Sequence, residues 1–197
     1  MNMAGVVVIR VLEAVLVVVA LSLVAAGSGY CISFKNVPGI TCYDSKNESP
    51  LLTNIGKVGL IYWDEMTGDN ARVNGQYFPF VTSLALALVT LGSVALADLF
   101  PPQGRLIGSV NASAGVLLCS VNGTLESWYA TEWMSEYANT QDPNTDIAYN
   151  RSWVAAAVLY YFAAFTFLID FSLMKIWNTN LKKDDGKTRP EQLPATM

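Results

Sequence analysis

The chain has 197 residues, 52% hydrophobic and only 14% charged, with a net charge of −4; soluble domains average about 25% charged residues, and here long blocks carry no charge, the pattern of a membrane protein. The acidic balance and the lack of any basic stripe oppose a nucleic-acid partner. The absence of histidine excludes bis-histidine haem, histidine-containing zinc sites and imidazole acid–base chemistry, and no Gly-x4-Gly-Lys-Ser/Thr phosphate loop occurs.

A helix needs roughly 20 apolar residues to cross a hydrocarbon core of about 30 Å. The first such segment runs 4–26. Its rival reading is a secretory leader with an n-region 1–10, an h-region 11–26 and cleavage at Val24-Ala25-Ala26, which Glu13 in the apolar core opposes. A polar stretch 27–77 follows. It holds Cys31 and Cys42, predicted to pair as a disulfide in an oxidising compartment, the sequon Asn47-Glu-Ser, and the aromatics Tyr62 and Trp63 among turn residues. Within it 57–63 (KVGLIYW) reads as a strand and 72–78 as its partner, a small β-element above the membrane.

The second span is 78–99, ended by a tight turn in which Pro101 and Pro102 cannot continue the helix. The third, 106–121, is short and rich in small residues. Gly108 and Ala112 have small-xxx-small spacing, Gly115 extends that face, and Asn111 is placed to bond across a helix pair, so these four are the predicted helix-packing residues. Cys119 reads as a small apolar residue there. A second loop, 122–152, carries the sequons at Asn122 and Asn150. Its WYATEWMSEY stretch offers Trp128 and Trp133 either to an interfacial aromatic belt or, with Tyr62 and Trp63, to a partner. The fourth span is 153–177, and the tail 178–197 is polar, mixed in charge and read as disordered.

Lys175, Lys182, Lys183, Lys187 and Arg189 cluster at the tail, whereas residues 121–150 carry acidic charges and no Lys or Arg. The positive-inside rule therefore puts the tail in the cytoplasm, and four crossings put the N-terminus there too. The first loop must then lie outside, although Lys35, Lys46, Lys57 and Arg72 run mildly against the rule. The expected fold is an all-α membrane protein: a four-transmembrane-helix bundle (residues 1–177) with cytoplasmic termini and a β-element in the first extracytoplasmic loop.

Charges within the membrane are costly and normally find partners inside a bundle. At about 1.5 Å per residue, Arg10 and Asp170 fall at matched depth, so an interhelical ion pair is expected, with Glu13 one turn away to share it. Asp98 sits at the end of its helix and reaches water. The alternative is an ion or proton path through Arg10, Glu13 and Asp170. A path usually needs polar groups through the full depth, and the outer halves of helices one, two and four show almost none.

The run Val8–Ala26 (VIRVLEAVLVVVALSLVAA), with an early Arg and a long Val/Leu/Ala stretch, resembles the first helix of MARVEL-domain proteins, the family of synaptophysins, MAL proteins, occludin and plant Casparian-strip proteins. Trp153–Asp170 (WVAAAVLYYFAAFTFLID) is similar to that family's alanine- and aromatic-rich fourth helix. The Casparian-type branch has an Asp in helix three where this chain has Asn111, so any Arg–Asp pairing here must use Asp170. Claudins share the topology, but their loop pattern is not reproduced, since Gly59–Trp63 (GLIYW) follows both cysteines; the tetraspanin Cys-Cys-Gly is absent. The resemblance implies membrane, junction or vesicle organisation, or accessory-subunit work. The expected function is thus a non-enzymatic integral protein of the plasma membrane or secretory vesicles. It would act through lipid, other membrane proteins or its own copies, with no cofactor, metal or catalytic residue assigned.

Overall fold

A computed structural model describes residues 3–26, 30–35, 37–43, 77–99, 101–141 and 143–187. The elements in chain order are α1 (Met3–Ala26), β1 (Tyr30–Phe34), β2 (Val37–Tyr43), α2 (Tyr77–Leu99), α3 (Pro101–Trp128), a π-helical turn (Tyr129–Trp133), α4 (Met134–Gln141), β3 (Thr145–Asn150) and α5 (Arg151–Lys187). Helices α1, α2, α3 and α5 are long and apolar enough to cross a membrane, compatible with an integral multi-pass membrane protein.

The four long helices form a ring in which α1 packs on α2 and α5, and α3 packs on α2 and α5. Arg10 of α1 meets Ser93 of α2, Asp170 of α5 and Gly108 of α3 at one end. Val24 of α1 meets Trp153 of α5 at the other. The run is therefore up-down-up-down, with a short connection between α2 and α3 and long ones on the sheet side. Alanines at the centre (Ala20, Ala87, Ala112, Ala163) let the backbones approach, with Tyr160 and Phe167 filling the remaining space.

Burial is inverted relative to a soluble bundle. Val8, Leu88, Leu106, Leu117, Phe162 and Phe165 stand exposed, while Arg10, Glu13, Ser83, Thr90, Asn111, Asn122, Glu126 and Asp170 are buried. In water that arrangement would strand apolar surface and desolvate charge. In a bilayer it satisfies both, because hydrocarbon surrounds the apolar belt and polar groups find one another inside.

The sheet differs from the expected one. Its strands come from both loops, in the order β2-β1-β3, all neighbours antiparallel. Residues 57–76, where the strand KVGLIYW was placed, lie outside the described residues, and Tyr77 and Phe78 begin α2 rather than end a strand. The Cys31–Cys42 disulfide joins directly paired positions of β1 and β2. Below the sheet a second core gathers Ile32, Tyr129, Trp133, Met134, Ala148 and Trp153.

Three boundaries also move. Pro101 and Pro102 open α3 instead of blocking it, as proline suits the first helical turn, whose N–H groups have no intrahelical partner. Helix α3 continues to Trp128 and, through the π turn and α4, to Gln141, so most of the expected second loop is helical. At 28 residues α3 is about 42 Å long, longer than the hydrocarbon core. Helix α5 runs on to Lys187, so the first half of the expected disordered tail is helical; residues 188–197 lie outside the described residues.

Candidate functional site

The bundle axis carries a column of buried polar groups. At the end away from the sheet, Arg10 Nε donates to Asp170 Oδ2 at 3.4 Å, with both side chains almost wholly buried. Its Nη1 donates to the Ser93 hydroxyl at 3.2 Å and reaches the Ser93 carbonyl at 3.4 Å, and Nη2 lies 3.9 Å from Met174 Sδ. Gly108 makes the room: a Cβ there would overlap the guanidinium. The matched depth of Arg10 and Asp170 does bring them together. Glu13 is fully buried nearby and within electrostatic range of both, yet neither of its oxygens accepts a hydrogen bond. It does not share the guanidinium as expected.

Toward the sheet, Asn111 Nδ2 donates to Thr90 Oγ1 at 2.9 Å, tying α3 to α2. Next, the Ser83 and Tyr160 hydroxyls lie 2.7 Å apart, and Asn122 Nδ2 donates to Ser83 at 3.2 Å and reaches Thr82. This cluster joins α2, α3 and α5. Glu126 is buried one turn above. Finally, Trp153 Nε1 donates to the Val24 carbonyl at 3.3 Å, meeting one of the orphan carbonyls at the end of α1. The polar groups thus extend through the sheet-side halves of α2 and α5, against the expectation that those halves hold almost none. Ser83, Tyr160 and Asn122 were each visible in the sequence. Their common depth was not, because it depends on α3 continuing past 121.

The four residues predicted to pack helices, Gly108, Asn111, Ala112 and Gly115, are all buried. Ala112 is fully buried, and a Cβ on Gly115 would run into the Phe167 ring. These contacts are within the bundle. The sequons fare otherwise. Asn122 is buried in mid-helix, and Asn150 is buried with its Oδ1 accepting from the Ser152 and Trp153 N–H groups as the N-cap of α5. A glycosyltransferase needs an accessible side-chain amide, and the folded bundle offers neither of these two; Asn47 lies outside the described residues. Trp133 is buried against Tyr129 and Trp153, and Trp128 is half-buried at an edge-on 4.8 Å from Tyr129. These two rings build the core beneath the sheet rather than a free partner face. Tyr62, Trp63 and the Asp98 side chain lie outside what is described.

Sequence reasoning missed a groove of about 480 Å³ between α2 and α3. Val81, Ala85 and Val89 line one wall, and Leu106, Val110 and Ala114 the other. Asn111 supplies polar character at its floor while bonded to Thr90. The signal lay in the spacing of Leu106, Val110 and Ala114 along one face of α3. No protein-family profile, curated protein or solved structure matches this chain.

Proposed function

We propose that the protein is a non-enzymatic membrane organiser or accessory subunit that docks a transmembrane helix of a partner, or of a second copy, in the α2–α3 groove. The groove carries this reading. It is open on the apolar surface, lies within two spanning segments, and has alanines at 85 and 114 on opposite walls. Small residues permit the close backbone approach on which helix association in lipid depends, since hydrocarbon itself supplies no hydrophobic drive between helices. The MARVEL-like pattern of the first and last spans supports the same class of work.

The orientation that accompanies this reading has both termini in the cytoplasm and the sheet outside, at the plasma membrane or in secretory vesicles. The Lys/Arg-rich tail and the disulfide support it. The test is native mass measurement after gentle solubilisation. Wild type is expected to run as a discrete complex, and Ala85→Phe/Ala114→Phe, which fills the groove, is expected to release a monomer with unchanged helix content. A monomeric wild type would overturn the proposal.

A second reading, a channel or transporter using Arg10, Glu13 and Asp170, is favoured by one observation: buried polar groups occur along the whole bundle. Flux of protons or monovalent cations into vesicles holding the purified protein discriminates the two readings.

A further inference from the structure

The charges around the Arg10–Asp170 pair do not balance. Facing Glu13 are Arg10 on its own helix, Asp170 from α5 and the Cys119 thiol from α3; α2 contributes Ser93 and Thr90 at this depth, neither of which ionises. One cation thus stands against two carboxylates. The Arg10 guanidinium is committed to Asp170 and Ser93. Both Glu13 oxygens are buried without a hydrogen bond, as is Asp170 Oδ1. A fully buried carboxylate with no donor is among the costliest groups a bundle can hold, and it is relieved by taking up a cation.

We propose that Glu13 is a membrane-buried proton-binding site, its carboxyl protonated in the resting bundle and exchanging that proton with solution at the sheet end. The direction follows from the neighbours. Toward the far end stands the Arg10 guanidinium, and a fixed positive charge opposes the passage of protons. Toward the sheet lie Cys119, then Tyr160 with Ser83 and Asn122, then Glu126. Cys119 and Tyr160 are buried in one cluster with Val17 and Ala20, one and two turns from Glu13 on α1, and Ser83 links Tyr160 to Asn122. On release the O–H bond of the carboxyl breaks, its electron pair stays on Glu13, and the proton passes to water at the sheet end. The carboxylate left behind then competes with Asp170 for Arg10. The proposal goes beyond the docking reading and holds with the groove empty or filled.

The experiment is infrared difference spectroscopy across an acid-to-alkaline titration of the full chain in phosphatidylcholine vesicles. Wild type is expected to show a protonated-carboxyl band at neutral pH that moves in heavy water. Glu13→Gln is expected to lose that band while keeping wild-type thermal stability, because the amide mimics the neutral acid; Glu126→Gln is expected to retain it. Tyr160→Phe is expected to slow the band's exchange into heavy water. Should Glu13→Gln fail to fold, wild type labelled with carbon-13 glutamate keeps the question open, since the band must then shift. No carboxyl band at neutral pH overturns the proposal. So does a band that appears only after sodium and potassium are removed, which would make the occupant a metal cation.

Discussion

Arg10 is the side chain on which the far end of the bundle depends, because it touches α2 and α5 and fills the space left by Gly108 on α3. Removing one member of a buried ion pair costs about 3–5 kcal/mol, since the other is left buried and unpaired. Arg10→Ala leaves the buried Asp170 carboxylate without its cation and is expected to lower folded yield and thermal midpoint strongly. Asp170→Asn keeps an acceptor for Arg10, and Glu13 can release its proton to become the counter-charge, so its effect should be smaller. Wild-type stability for both variants, read by thermal unfolding in detergent, would contradict the pairing. Hydroxyl bonds inside membrane bundles average about 0.6 kcal/mol, so Tyr160→Phe should cost far less than Arg10→Ala. Gly115→Val must displace the Phe167 ring and is expected to cost about 1–3 kcal/mol as overpacking, measurable in the same unfolding assay. The Arg10–Asp170 pair was legible from helix depth alone. The isolation of Glu13 was not, because it turns on where the guanidinium points.

At the scale of elements, the sheet end is held by a disulfide, a cap and an aromatic core. The Cys31–Cys42 bond closes a loop with a sequence separation of 11, for which the chain-entropy relation gives about 3 kcal/mol. Cys31→Ser/Cys42→Ser is expected to loosen β1 and β2 while the bundle keeps its helix content, visible as faster amide exchange confined to the strands. Asn150→Ala removes the α5 cap and is expected to cost about 1 kcal/mol, measured by thermal unfolding in detergent. The cysteine pairing could be read from two residues and a compartment. The helical extension from 122 to 141 could not. Gly123, Thr124 and Ser127 weaken the helix locally, and the near-helical spacing of the aromatics at 128–137 reads as a segment lying at the membrane interface rather than as a continuation of α3 through the π turn Tyr129–Trp133. Packing on the sheet and on Trp153 decides the matter, and that contact is remote in sequence.

For the whole molecule, the inverted distribution of polar and apolar side chains makes the bundle a membrane object. Among the described residues, the α2–α3 groove is a feature that points beyond it. The four apolar segments were legible because length and hydropathy suffice for a spanning helix. The groove was not, because it arises from how the side chains of α2 and α3 pack against one another. The most direct test is photo-crosslinking in native membranes, with a photoreactive amino acid at Val110, which lines the groove, or at Phe165, exposed on α5 and away from it. The account predicts a discrete protein adduct from position 110 and lipid adducts alone from position 165. Lipid adducts alone from both positions would contradict it.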